Sequence, residues 1–399
     1  MEPKYGLPFN VNFCNICGMS NQKVTPSRVQ NDSKTSAKNT LKFNGGTCDP
    51  CQYNLQKQQD IDWTERRKQL EEICDRYRSK DGSYDCIVPG SGGKDSVYQS
   101  YFLKNEMGMN PITVTWAPHM YTEYGWRNFQ RWISEGDGFS NFLYTPNGRI
   151  HRSLTSLAYK NLLHPFQPFI FGQRNYVMHM ARQLNIGLIV FGENPADYGG
   201  FKNEETQWTM DPMYYVEDNR ESILVSGLSL NELQEDHHIT ENDLRYYLPL
   251  TSEQAGDANL NPIWLGYFTD FHPQGNYYFA KEKIKFEPNN QRTEGTYSRY
   301  NSLDDKLDGL HYWTGYVKFG VGRAMHEACQ EVRNGDLTRD ESIALIRKYD
   351  GEFPQRYFSE IIEYLKIDSD EFFSIADSFR SDHLFTQMNG EWLPRFEAK

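Results

Sequence analysis

The chain of 399 residues has no surplus of positive charge: 42 Lys and Arg stand against 54 Asp and Glu, a formal net charge of −12. That balance excludes a globally basic surface for long-range capture of nucleic acid, although not a local basic patch. No apolar run approaches the ~20 residues needed to cross a bilayer, and the opening Met1-Glu2-Pro3-Lys4-Tyr5-Gly6 lacks the basic-then-apolar layout of a signal peptide. The expectation is a soluble, cytoplasmic protein without a membrane span. Cysteine is sparse too. Of seven, four form two Cys-x-x-Cys pairs, which fits a reduced compartment and a metal better than a disulfide framework.

What the chain does have is length and rings. A hydrophobic content of 38% at this length allows two or three domains and at least one sizeable core. The aromatic content of 15%, with 26 Tyr, suits a polar cleft walled by rings and equally a large core.

Along the chain, the stretch to about Asn54 is poor in apolar periodicity. It holds the polar run Pro26 to Asn44 and is too small for a core of its own. Trp63, Leu70, Ile73, Cys74 and Tyr77 recur at helical spacing and predict a linking helix. Tyr84 to Pro89, Pro111 to Trp116, Asn141 to Thr145 and Gly187 to Gly192 read as strands. The helices Val97 to Met107, Trp126 to Ser134 and Tyr176 to Leu184 alternate with them. Such alternation argues for an α/β fold with a parallel sheet of about five strands covered on both faces. Beyond Leu250 come irregular aromatic segments and then the helices Gly322 to Asn334, Thr338 to Tyr349 and Phe353 to Leu365. Three regions follow: a four-cysteine zinc-binding ribbon over 1–60, the α/β domain over 61–250, and a mainly helical substrate or partner domain over 251–399.

Ser91-Gly92-Gly93-Lys94-Asp95-Ser96 lies between a buried strand and a helix, where free backbone N–H groups and the helix dipole favour phosphate. Lys94 adds a charge, and Ser91 and Ser96 add hydroxyls. The bland alternative is a tight turn with a solvated Lys94-Asp95 pair. The spacing is not Gly-x-x-x-x-Gly-Lys-Ser/Thr. It resembles instead the Ser-Gly-Gly-x-Asp-Ser loop of the PP-loop ATP pyrophosphatases (the HUP, adenine nucleotide alpha hydrolase-like type), which implies ATP cleaved between its α and β phosphates.

Cys14-x-x-Cys17 and Cys48-x-x-Cys51, thirty residues apart, supply four thiolates in two knuckles, the donor set of a closed structural zinc site. Unliganded thiols or an iron-sulfur cluster are the alternatives. Gly192-Glu193-Asn194-Pro195 ends a strand on the same edge as the loop, where open α/β sheets place ligands. Glu193 there serves Mg²⁺ or substrate, or is a strand-end carboxylate facing water. Thr115 and Trp116 end another strand, beside which an adenine could lie, or Trp116 belongs to the core.

Tyr297-Ser298-x-Tyr300, Asp308-x-x-His311-Tyr312, Lys318-Phe319-Gly320-x-Gly322-Arg323-Ala324 and Tyr349-Asp350-Gly351 resemble the N-acetyl sugar amidotransferases of bacterial surface-glycan and flagellin-glycan synthesis. The likeness takes in the paired cysteines, the Ser91 to Ser96 loop and Gly192-Glu193-Asn194. His311-Tyr312-Trp313 stands where other members show His-Asp-Tyr. The resemblance implies conversion of a sugar acetamido group to an acetamidino group through an O-adenylated intermediate, with ATP giving AMP and pyrophosphate. It implies Mg²⁺, substrates of the diacetamido uronic or nonulosonic (pseudaminic, legionaminic) type in lipopolysaccharide or flagellin glycans, and ammonia from a separate glutaminase subunit. No Cys at position 2 and no Gly-x-Cys-x-Gly elbow offers a built-in glutaminase nucleophile. Lys94 and Asp95 would serve the loop chemistry. Lys318 and Arg323, five apart, would clamp a sugar carboxylate or phosphate unless they are surface charges. His311 would carry a proton between ammonia and the adenylate or be a core histidine, and Glu193 and Asn194 would meet the substrate. A homo-oligomer is compatible with this reading.

Two rivals use the same residues: a tRNA thiolation or lysidine-type enzyme, which the acidic charge disfavours, and a zinc-dependent binding protein with a dead loop, which intact Lys94 and Asp95 disfavour.

Overall fold

The structure, a computed structural model, describes residues 2–25, 31–199 and 207–399; residues 26–30 of the polar run between the cysteine pairs lie outside them. Five strands form one parallel sheet: β1 Cys86–Pro89, β2 Pro111–Trp116, β3 Asn141–Tyr144, β4 Leu188–Phe191 and β5 Asn261–Trp264, in the order β3-β2-β1-β4-β5. Cys86 pairs with both Pro111 and Leu188, Thr113 with Asn141, and Leu188 with Asn261. Alternate residues of β1 serve opposite faces. Ile87 joins Ile112, Val114 and Ile189 in one core, whereas Cys86 and Val88 join Leu188, Val190 and Leu70 in another. All six residues of β2 are buried, as covering on both faces requires.

Helices α1 Asp49–Gln59 and α2 Trp63–Tyr77 precede the sheet. Asp62 starts α2 by accepting hydrogen bonds from the Thr64 and Glu65 amides. Between β1 and β4 lie α3 Lys94–Tyr101, α4 Glu123–Ser134, α5 Gly148–Leu162 and α6 Gln167–Leu184. The helix expected over 97–107 thus begins three residues earlier and passes into a π turn at Phe102–Glu106.

The sheet does not end at residue 250. Strand β5 lies beyond it, and α7 Pro273–Ile284 then packs on α3, Ala280 and Ile284 meeting Val97 and Tyr101. A four-residue strand containing Pro262 offers too little periodicity to be seen in sequence. The remaining long helices are α8 Asp308–Phe319, α9 Arg323–Asn334, α10 Arg339–Tyr349, α11 Phe358–Leu365 and α12 Ser369–Phe379, followed by the hairpin Phe385–Met388 with Glu391–Pro394. Of these, α8, α12 and the hairpin, like α5 before them, were not anticipated as elements.

The first segment, too small for its own core, borrows one. Phe13, Cys14, Cys17, Cys48 and Cys51 pack with Met325, Ala328 and Cys329 of α9 and Ile343 and Ile346 of α10. Tyr5 donates its hydroxyl to the Phe379 carbonyl (2.7 Å), so the two ends of the chain form one body. No helix among the described residues is long and apolar enough to cross a membrane. Truncating the core side of β4 with Ile189→Ala, at a fully buried position, is expected to cost about 2–5 kcal/mol in urea unfolding.

Candidate functional site

Strands β1 and β4 are neighbours at the point where the strand order reverses, so the turns leaving their carboxyl ends open into one crevice. The turn after β1 carries Ser91 to Ser96. Gly92 has a φ of +81°, and a Cβ there would sit 2.6 Å from the Phe129 backbone, so the chain passes α4 only as glycine. Gly93 caps α3, whose first-turn amides lack carbonyl partners within the helix. The Ser96 hydroxyl accepts from the Ser91 amide at 3.2 Å and closes the turn.

Two unforeseen residues complete it. Asp304 accepts from the Ser91 hydroxyl at 2.6 Å. Asn276 of α7 donates to Asp95 Oδ1 at 2.8 Å, while Asp95 Oδ2 takes Lys94 Nζ at 2.7 Å. Asp304 belongs to the block between Tyr300 and Asp308 and stands next to Asp305. That adjacent pair was the only signal that could have drawn attention to it.

A cavity of about 560 Å³ opens beside the loop, and Lys94, Asp95, Glu193, His311, Lys318 and Arg323 all line it. Six residues chosen from three separate stretches therefore meet. Glu193 lines the cavity, where its side chain stays accessible to solvent. Desolvation by the cavity walls, and next the neighbouring Asp95, push its carboxyl up to about 7 against the pull of Lys94 and Arg323. Arg323 donates to Glu327 and to the Tyr312 hydroxyl through Nε and Nη1. Glu327 is held in turn by the Thr296 hydroxyl at 2.6 Å.

Lys318 and Arg323 do not share a helix. Lys318 ends α8, Gly320 closes that helix at φ +65°, and Arg323 opens α9, whose first turn is capped from afar by Asp350 accepting from the Gly322 and Met325 amides. The Lys318 ammonium donates to the Leu162 carbonyl (2.8 Å), and burial, then Lys38, push its pKa down to about 7.

His311 stacks on Phe166 and His164, and burial, then Arg323, push it down to about 3. Its ring lines the cavity, and burial disfavours the imidazolium form. Thr115 and Trp116 do not line the cavity. The Thr115 hydroxyl accepts from Asn141 inside the sheet, and the Trp116 ring packs among Tyr144, Tyr176 and Tyr247. Asn194 is fully buried and donates to the Tyr53 hydroxyl at 2.9 Å, so it supports the site without lining it. Gly192 allows close approach to Gln99, whose Oε1 a Cβ would meet at 2.9 Å.

The four cysteines converge as well. Their sulfurs lie within 4.8 Å of one another, with Cys14–Cys51 and Cys17–Cys48 at 3.8 Å. Tetrahedral zinc with bonds of about 2.3 Å separates sulfurs by about 3.8 Å. The spacing fits one ion better than a cluster with several irons between the sulfurs. Amides of Ile16 and Cys48 donate to the Cys14 sulfur at 3.4 Å, and Arg333 lies 3.8 Å from that of Cys17, all favouring thiolate. Cys48→Ser is expected to lower bound zinc below one per chain by elemental analysis and to loosen the ribbon, seen as a lower melting temperature.

Residues 294–397 match the family described as the C-terminal domain of WbpG-like LPS biosynthesis proteins. This stretch supplies Asp304, His311, Lys318 and Arg323. A further similarity is to an uncharacterized protein of Methanocaldococcus jannaschii, 42% identical over 48 residues, which is 12% of this chain and 17% of that protein. Through residues 294–397 the chain is similar to the C-terminal domain of the WbpG-like proteins, a likeness that implies a role in lipopolysaccharide biosynthesis and supports the sugar amidotransferase resemblance.

Proposed function

We propose that the protein is an ATP-dependent amidotransferase of the PP-loop type that converts a sugar acetamido group to an acetamidino group. The observation that carries this reading is the single cavity in which the loop residues Lys94 and Asp95 meet Glu193 and the WbpG-like residues Lys318 and Arg323. An amide carbonyl resists ammonia because its oxygen leaves poorly. In the proposed reaction that oxygen attacks the α phosphorus of ATP, pyrophosphate departs, ammonia adds to the activated carbon, and AMP carries the oxygen away.

The first-turn amides of α3 and Lys94 would hold the pyrophosphate, with Asn276 steadying Asp95 beneath them. Mg²⁺, when bound, would offset phosphate charge, and Asp304 is the carboxylate beside the loop that would hold it. Arg323, braced by Glu327 and Tyr312, and Lys318 would receive an anionic group of the sugar.

Ammonia addition leaves a nitrogen that must lose a proton. Glu193, poised at about 7, is the group suited to take it. Its carboxyl is protonated and idle below that pH and ionised above it, so the rate should rise as pH passes through about 7.

Incubation with ATP, Mg²⁺, ammonium and a panel of acetamido sugars is expected to give AMP and a product that mass spectrometry shows to have exchanged oxygen for NH. Glutamine should not replace ammonium until a glutaminase partner is added. Lys94→Ala should abolish AMP formation while leaving the circular dichroism spectrum intact. At constant free ammonia, Glu193→Gln should lose the rise near pH 7 together with roughly 10²-fold or more in rate. An unaltered pH profile would remove Glu193 from the chemistry.

A further inference from the structure

The Glu193 carboxylate makes no hydrogen bond among the described residues. Its direction is therefore set by the backbone on either side. Upstream is β4, with Gly192 tight against Gln99. Downstream is the turn Pro195–Tyr198, and that turn rests on the four-cysteine ribbon.

Helix α1 begins in the metal site, with Cys48 as its cap and Cys51 in its first turn. Tyr53 and Lys57, four residues apart, present one face of that helix to the turn. The Tyr53 hydroxyl accepts from Asn194 Nδ2 at 2.9 Å, and Asn194 Oδ1 accepts from the Ala196 amide at 3.2 Å, closing the turn. Lys57 Nζ pairs with Asp197 at 3.2 Å and with Asp270 at 2.8 Å. Lys23, also from the ribbon, donates to the Tyr198 carbonyl at 2.6 Å. Arg333 reaches the Cys17 sulfur with one nitrogen and the Asp197 carbonyl, at 3.2 Å, with another.

We infer that Tyr53 and Lys57 are positioning residues for Glu193, through which the four-cysteine ribbon aims that carboxylate into the cavity. A ribbon needed only for its own folding would not require a buried tyrosine hydroxyl and a buried ammonium directed at the residues that follow Glu193. Since Glu193 leads directly into this turn, whose Pro195 and Tyr198 line the same cavity, a loosened turn lets the carboxylate swing away from Lys94, Asp95 and Arg323, the charged groups facing it from α3 and α9, and from Asp197 on its own segment. The catalytic consequence rests on the proposed amidotransferase reading; the mechanical tie does not.

The test uses the full chain with zinc bound, comparing the parent with Tyr53→Phe and with Lys57→Met, which keeps the bulk of the lysine stem. Hydrogen exchange, followed by mass spectrometry, should rise on the order of tenfold in peptides covering 192–199 in both variants. Zinc content and exchange in peptides holding the four cysteines should stay at the parent level. In the amidation assay kcat should fall roughly ten- to a hundredfold with the KM for ATP little changed, and the rise near pH 7 should flatten. Unchanged exchange at 192–199 in both variants would overturn the tie, as would loosening that spreads through the ribbon with loss of zinc. Exchange that rises as expected while no sugar is amidated even by the parent would keep the tie and reject the amidotransferase reading instead.

Discussion

Helix α9 has to serve two compartments at once. Arg323, Glu327, Gln330 and Glu331 follow one another at helical spacing along its cavity face. Met325, Ala328, Cys329 and Arg333 lie against the four cysteines. A helix of 12 residues cannot shift one face without the other. The Asp350 carboxylate pins its start by accepting two amides of the first turn, and the Tyr297 hydroxyl holds Glu331 at 2.6 Å further along. The motif residues around 297, 320 and 350 therefore act largely by fixing this helix.

With α9 fixed, the charge pattern of the cavity follows. Lys94, Arg323 and Lys318 face Asp95, Glu193, Glu327 and Glu331 in a space partly shut from water, where each charge is felt more strongly than at the surface. Partners divide these groups into two kinds. Lys94 with Asp95 and Arg323 with Glu327 form ion pairs. Glu193 and Lys318 are not matched in this way: burial moves Lys318, and desolvation by the cavity walls together with Asp95 moves the solvent-accessible Glu193, toward neutrality at about pH 7. Under the proposed amidotransferase reading, such a site would hold its paired charges beside the phosphates and a proton-exchanging group beside the reacting nitrogen.

Sequence carried the local parts of this well. The Ser91 to Ser96 loop depends on glycines and a helix start within six residues, and the cysteine knuckles on two short spacings, so both were legible. The sheet was legible wherever strands were apolar and alternated with helices, and β5, with Asn261 and Pro262, was not. Thr115 and Trp116 lie at a strand end but outside the cavity wall: alternation sends them to opposite faces, both covered, where Thr115 meets Asn141 and Trp116 joins the core. What stayed hidden were contacts across long stretches of chain: Asp304 to Ser91, Asn276 to Asp95 and Asn194 to Tyr53. Each side chain there is ordinary in its own neighbourhood, and its role exists only after folding.

Those same long contacts explain why the site cannot be assigned to any one region. The loop after β1 is completed by Asp304 from the WbpG-like segment and by Asn276 from α7, while the turn after β4 is completed by α1 of the ribbon. Strand β5 and α7, which lie between the expected regions, tie the sheet to both. A chain arranged this way gains no partial function from folding in parts. The WbpG-like stretch brings Lys318, Arg323 and Asp304 but not the Ser91 to Ser96 loop, and the sheet region brings that loop with Glu193 and Trp264 but not those cations. The physical unit of function is the closed body in which α9 has the cysteine cluster at its back and the cavity at its front, and selection on either surface acts on both.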